Sequence, residues 1–166
     1  MTDGDGAAPH TALQRQIGTL LPELRGFARF LARDRVAADD LVQDSVLRAF
    51  NALDQFQPGT NLKAWLFTIL RNQFYEQLRR ARRETAIMAE FAETDTAIVS
   101  SQQARSEIAD LQVLIFKLPP LLREALILVG AQGLSHDEAA AICAVPVGTM
   151  KARLSRARAQ LAELSG

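Results

Sequence analysis

Ser135-His136-Asp137-Glu138-Ala139-Ala140-Ala141-Ile142-Cys143-Ala144-Val145-Pro146-Val147-Gly148-Thr149-Met150-Lys151-Ala152-Arg153-Leu154-Ser155-Arg156-Ala157-Arg158 reads as two helices with a sharp turn between them. Ser135 followed three residues later by Glu138 is a capping box, in which each side chain satisfies a backbone N–H of the other. It opens a short helix over about 137–143. Ala144-Val145-Pro146 makes the turn, because proline cannot continue a helix and biases its predecessor to extended backbone. The second helix runs over about 147–161. Val147, Met150, Leu154, Ala157 and Leu161 fall on its inner stripe, and Thr149, Ala152, Arg153 and Arg156 on its outer one. Short helix, turn and a helix with a basic outer face make a helix-turn-helix.

The composition of that outer face suits a DNA major groove. Gly148, Ala152 and Ser155 are small and allow close approach. Lys151, Arg153 and Arg156 can hydrogen-bond a guanine edge or clamp a phosphate. Thr149, near the helix start, belongs to the same surface. The competing reading is an ordinary solvated C-terminal helix.

Working outward, the same helical periodicity covers almost the whole chain, with no strand-like alternation and no internal repeat. Nearly half of the 166 residues are hydrophobic, enough to build cores, and length allows one ordinary domain or two small ones. No apolar run approaches the 18 or so residues of a membrane span. Residues 1–10 are small and acidic, without the pattern of a secretory signal, and read as a disordered leader. A weak helix over 11–20 is interrupted by Pro22, which suits the first turn of the next helix, ending near Arg33 with Leu24, Phe27, Phe30 and Leu31 as its stripe. Asp34 and Arg35 mark a turn.

A strong helix follows from about Ala38 to Leu53. Leu41, Val42, Ser45, Val46, Ala49, Phe50 and Leu53 line one side; Asp40, Gln43, Asp44 and Leu47 line another. Asp39 and Asp40 are read as complementing the helix dipole rather than as a catalytic carboxylate pair. Gln55-Phe56-Gln57-Pro58-Gly59-Thr60-Asn61 is a loop, and Thr60 or Asn61 caps the helix beyond it. There Leu62, Trp65, Leu66, Ile69, Leu70 and Phe74 form the buried side. Thr68, Arg71, Asn72, Tyr75 and Arg79 form the opposite, polar arc. Such a loop and basic helix can hold unstacked bases while cations, Lys63 among them, follow the strand.

Net charge is zero, yet the charges are segregated. Six basic residues and one acid lie between Thr60 and Arg83, four basic residues and no acid between Val147 and Arg158, and six acids with one base between Glu84 and Asp110. This suggests two basic surfaces joined by an acidic connector, against the alternative of solvated helix faces. Residues 84–106 are weakly periodic and read as a flexible linker. A new helix begins near Glu107 with Ile108, Leu111, Leu114 and Ile115. It stops at Pro119-Pro120, and Leu121 to Gly130 is a buried helix. The expected architecture is all-α: one small helical domain over 11–83, the linker over 84–106, and a helix-turn-helix domain over 107–166.

Enzyme chemistry finds little support. Two histidines, one packing cysteine (Cys143), and no phosphate loop, nucleophile motif or metal-ligand spacing leave catalytic residues, metal and cofactor at none.

Taken in order, these stretches resemble a known family. Asp39 to Phe50 and Asn61 to Asn72 look like conserved region two of extracytoplasmic-function RNA polymerase sigma factors. Leu118-Pro119-Pro120 through Ser135, then Pro146 to Arg158, is similar to their region four. Gly59 to Phe67 also resembles the subgroup directing the alphaproteobacterial general stress response. The resemblance implies a cytoplasmic promoter-specificity subunit without cofactor, small-molecule substrate or membrane partner. Asp40, Gln43, Asp44 and Leu47 would bind the coiled coil of the polymerase's largest subunit, and region four its flap. Gln55 to Asn61 would pocket a flipped base, and with Lys63, Arg71, Asn72, Tyr75 and Arg79 read and open the minus-10 element. Gly148, Thr149, Lys151, Ala152, Arg153, Ser155 and Arg156 would read the minus-35 element. An anti-sigma factor would hold the free chain inactive. Two departures stand out: His136 where an aromatic is common, and Ala144 where glycine is common. Rival readings are a sigma-like mimic that titrates an anti-sigma factor, and a helix-turn-helix repressor that acts without polymerase.

Overall fold

A computed structural model of the chain describes residues 7–88 and 107–166, and every regular element among them is a helix. The order is α1 (Ala7–Thr19), α2 (Leu21–Ala32), α3 (Arg35–Asn51), a 3₁₀ turn at Leu53–Gln55, α4 (Leu62–Met88), α5 (Glu107–Lys117), α6 (Pro120–Ala125), a π-helical turn at Leu126–Ala131, α7 (His136–Cys143) and α8 (Val147–Ser165).

The first unit packs α2, α3 and α4 around Leu24, Phe27, Leu41, Ala49, Phe67 and Leu70, all essentially inaccessible. Phe27 and Phe67 stack with ring centroids 4.8 Å apart, joining α2 to α4. The second unit packs α6, α7 and α8 on Leu118, Leu128, Met150 and Leu154. One continuous apolar cluster runs from Ile17 through Leu70 to Met150 and takes in both units. The helix-turn-helix therefore rests on the first unit, through α2 against α6 and α4 against α7.

Several boundaries differ from the sequence reading. Ala7 to His10, assigned to the disordered leader, form the start of α1, and His10 Nε2 meets Asp54 Oδ1 at 2.7 Å. Helix α3 begins at Arg35, three residues early, because Asp34 is its N-cap and accepts from the Ala37 N–H at 3.2 Å. Asp39 and Asp40 thus lie beyond the first turn, and the dipole account of them fails. Phe50 is exposed rather than part of the buried stripe, whereas Phe67, on no predicted face, is fully buried. Leu111 is likewise exposed. Helix α4 continues to Met88, so Glu84 to Met88, assigned to the linker, are helical. The remainder of the linker reading, and residues 1–6 of the leader, fall outside the described residues. The predicted helix over 121–130 is α6 followed by a π turn, with Gln132 N–H bonding Ile127 O at 2.8 Å. The extra residue in that turn is a local feature that hydrophobic periodicity does not reveal.

Candidate nucleic-acid and protein interfaces

The helix-turn-helix forms as its residue types dictate. Both halves of the capping box are made: the Ser135 N–H donates to Glu138 Oε1 and the Glu138 N–H to Ser135 Oγ, each at 3.0 Å. Helix α7 ends on Ala144 in the left-handed region (φ 55°, ψ 45°), which is costly for a side chain bearing Cβ. Pro146 then precedes the first turn of α8. Met150, Leu154 and Ala157 are buried; Gly148, Lys151, Ala152, Ser155 and Arg156 are exposed, while Thr149 and Arg153 are half-buried at the edge. The structure therefore brings the predicted minus-35 residues together on one open helical face.

On α3, Asp40, Gln43, Asp44 and Leu47 are all exposed on one side. Asp40, Gln43 and Leu47 line a groove of about 630 Å³ between α2 and α3, together with Leu21, Arg25, Arg29, Arg35, Asp39, Val42 and Val46. Arg25, Arg29 and Arg35 were not singled out from sequence. The i, i+4 spacing of Arg25 and Arg29 was the available signal. The groove is amphipathic, with apolar side chains from both helices, the Arg25 and Arg29 guanidinium groups on α2, and Arg35 with the Asp39 and Asp40 carboxylates on α3.

The loop at 55–61 is a tight turn. Gly59 sits at φ +86°, and Thr60 Oγ1 donates to Gln57 O at 2.6 Å. Gln55, Gln57, Pro58, Gly59, Thr60 and Asn61 are exposed. Phe56 is buried and packs on Trp65 at 5.3 Å, so its side chain anchors the loop instead of facing outward. Asn61 Oδ1 accepts from the Ala64 N–H at 3.2 Å and caps α4.

The basic arc of α4 has a different fate. Asn72 and Arg79 are exposed, but Lys63, Arg71 and Tyr75 are half-buried against the second unit. Lys63 Nζ donates to Gln132 O at 2.8 Å. Asn61 Nδ2 donates to the Glu138 carboxylate. The Arg71 guanidinium meets the Glu124 carboxylate with two nitrogens, Nη2 to Oε2 at 3.3 Å, and lies 4.6 Å over the Tyr75 ring. The Glu124 side chain is 1% exposed and that of Arg71 14%.

Burial alone would lower the Arg71 pKa, but hydrogen bonding and charge attraction from Glu124 outweigh it and hold the guanidinium above its usual value. Tyr75 is raised by burial, then by Glu124. Cys143, next to the same carboxylate, is pushed up to about 12, first by burial and then by Glu124. A second contact closes the other edge of this interface. Phe116 stacks on Phe30 at 5.4 Å and carries Arg33 and Arg123 each 5.1 Å from its ring centre. Both guanidinium groups donate to Phe116 O, at 3.1 and 3.2 Å, and Arg123 also donates to Leu118 O at 3.0 Å. Arg123 is held below its usual pKa, by burial and then by Arg33. None of Phe116, Arg123, Glu124, Gln132 or Glu138 was read as functional, because their roles depend on how two units meet.

No described helix is long and apolar enough to cross a membrane. No cluster of metal-ligating side chains occurs among the described residues.

The chain is similar in sequence and fold to known proteins. The sigma-70 region 2 profile matches residues 17–84, and the sigma-70, region 4 profile residues 108–161. The ECF RNA polymerase sigma factor EcfG of Rhodopseudomonas palustris (strain TIE-1) is 47% identical over 154 residues, covering 92% of this chain and 84% of its own. Among solved structures, the sigma factor RpoE in complex with the anti-sigma factor NepR from Bartonella quintana is 43% identical. It matches with a TM-score of 0.78 over 90% of this chain and 94% of that one. CnrH in complex with the cytosolic domain of CnrY is 30% identical, with a TM-score of 0.65 over 95% and 92%.

Proposed function

We propose a promoter-directing role on one premise: the chain belongs to the extracytoplasmic-function RNA polymerase sigma factors of the sigma-70 family. In this role it binds core polymerase in the cytoplasm, recognises promoter DNA and assists its opening. It carries out no bond chemistry itself. The observation that carries the reading is the open face of α8, where small residues and cations stand together beyond a capped α7. A helix so placed can enter a major groove, with arginine reading guanine and lysine meeting phosphate. The amphipathic groove between α2 and α3, lined by Asp40, Gln43 and Leu47, with Asp44 exposed on the same helix, supports docking on the coiled coil of the largest polymerase subunit. The flap would meet the second unit. The 55–61 loop and the arc Lys63, Arg71, Asn72, Tyr75 and Arg79 serve the minus-10 strand.

Control by an anti-sigma factor follows from kinship with RpoE and CnrH, each solved with such a protein or its cytosolic domain. The similarity to EcfG supports a place in a general stress response. A pull-down with core polymerase, coupled to promoter-dependent transcription in vitro, tests the reading. Binding and transcript are expected. Binding of DNA without core enzyme would indicate a repressor, and binding of an anti-sigma factor alone a mimic.

A further inference from the structure

We propose that Arg33 couples α5 to the groove between α2 and α3: its side chain holds the corner between those helices in a strained turn, and occupation of the groove releases it. The inference rests on the docking role given above for that groove, while the geometry of the turn stands apart from it.

The corner is a single residue. The Arg33 N–H closes α2 on Arg29 O at 3.0 Å, and Asp34 already caps α3. Between them the Asp34 N–H donates to Ala32 O at 2.6 Å, with Arg33 at φ 61° and ψ −44°. A hydrogen bond across one central residue at these angles makes a γ-turn of the rare, strained hand. The other positive φ values among the described residues fall on Gly59, Gly133 and Ala144. Ala144, with ψ 45°, lies in the left-handed well that a side chain can enter. Arg33 lies outside that well, and a residue so strained persists only where its surroundings fix it.

What fixes it is one residue of α5. Although Arg33 is exposed, its Nη2 donates to Phe116 O at 3.1 Å and its guanidinium lies 5.1 Å from the Phe116 ring centre. Phe116 in turn stacks on Phe30, just before the corner. The same corner joins the two walls of the groove, with Arg25 and Arg29 on α2 and Arg35, Asp39 and Asp40 on α3. None of these five has an ion-pair partner among the described residues, so no ion pair across the groove fixes its width. An occupant that pairs with both walls changes the angle between them. Both helices are internally hydrogen-bonded, so the change is taken up at Arg33. Further distortion deepens the steric clash there, whereas return to an ordinary region relieves it. The corner therefore yields toward its relaxed form, which draws Arg33 off Phe116. Such coupling is reciprocal, so cutting the Arg33–Phe116 contact should favour docking.

Amide hydrogen exchange of the full chain, without polymerase, tests the turn. Arg33→Ala keeps a Cβ at the strained position and cuts the contact, so the Asp34 amide should exchange about tenfold faster than in the parent chain. Arg33→Gly, which takes positive φ without penalty, should stay nearer the parent rate. Phe116→Ala should act in the same direction as Arg33→Ala, and the two together should go no further. Affinity for core polymerase, measured by titration, should rise about fivefold in Arg33→Ala and in Phe116→Ala.

Equal exchange in Arg33→Ala and Arg33→Gly would overturn the strained turn, as would loss of helical circular dichroism in Arg33→Ala. Faster exchange with unchanged polymerase affinity would overturn the coupling. So would an affinity that Phe116→Ala still raises when Arg33 is already alanine, which would route the effect elsewhere. A parent chain that binds no core polymerase would refute the docking role, while faster exchange in Arg33→Ala would still uphold the strained tie to α5.

Discussion

The two basic faces of this chain, on α4 and on α8, have similar composition and opposite situations. Each carries cations at helical spacing on the side away from an apolar stripe. On α8, Lys151, Ala152, Ser155 and Arg156 are exposed, and neither Lys151 nor Arg156 has an ion-pair or hydrogen-bond partner among the described residues. On α4, Lys63 and Arg71 are half-buried and bonded to the neighbouring unit. The difference lies outside either helix, in the carboxylates and carbonyl that α6, α7 and the turn between them bring to α4. A basic helix face is therefore not yet a binding site. Whether it is free depends on what the rest of the chain puts against it.

The largest expected effect breaks this contrast directly. Arg71→Ala leaves Glu124 unpaired in a buried position, which costs the closed arrangement about 3–5 kcal/mol. Arg156→Ala removes an exposed cation and should change stability by no more than about 0.5 kcal/mol. Thermal unfolding of the two variants beside the parent chain measures both. Equal shifts in Tm would mean that the two faces are alike after all.

The next effect concerns recognition. Arg156 lies one turn beyond Ala152 on the open face, while Arg158 lies further along the helix. If Arg156 meets a guanine edge with two donors, its loss removes about 1–3 kcal/mol of discrimination at one promoter position. Arg158→Ala should weaken all sequences alike and reduce the salt slope by about 0.9. Binding of both variants to a panel of minus-35 sequences at several salt concentrations separates the cases. Uniform weakening by Arg156→Ala would assign it to phosphate.

How much of this was legible in the sequence follows a physical line. Local rules worked where the interaction is local. The Ser135–Glu138 box, the Pro146 turn and the Met150/Leu154/Ala157 stripe all depend on residues within a turn or two, and all formed. The exposed Asp40/Gln43/Asp44/Leu47 side of α3 followed from periodicity in the same way. Local misses had local causes. Asp34 was read as a turn residue when it is an N-cap, and a π turn leaves no periodic trace. The interface was illegible for a different reason. Glu124 lies in an apolar run, 53 residues from Arg71, and nothing near it in sequence announces a partner. Phe56 was assigned to a DNA loop by position, yet its side chain packs on Trp65.

A smaller effect tests the rigidity of the open face. Ala144 adopts φ 55° at the end of α7, where glycine avoids the Cβ clash. Ala144→Gly should stabilise the helix-turn-helix by up to about 1 kcal/mol, the left-handed penalty offset in part by greater unfolded-state entropy. A rise in Tm is expected, with no change in the salt slope of DNA binding. A fall in Tm would show that the surroundings already accommodate alanine there.

The smallest effect separates the faces by pH. Glu138 is held below the usual carboxyl value of 4.5, first by the Ser135 backbone N–H and then, against burial, by Asn61 of α4. A carboxylate with a depressed folded-state pKa contributes stability that is present above the unfolded value and lost as pH falls through the folded one. The tie between α7 and the head of α4 should thus weaken below about pH 4.5, whereas Lys151 and Arg156 on α8 have no carboxylate partner among the described residues to lose. Glutamine can serve at the same position of a capping box, so Glu138→Gln keeps the cap while removing the titration. Between pH 5 and 3 the parent chain should lose up to about 1 kcal/mol more than this variant. Denaturant unfolding of both chains at each pH gives the difference. Parallel curves would mean that Glu138 contributes a cap to α7 and no charge-dependent hold on α4.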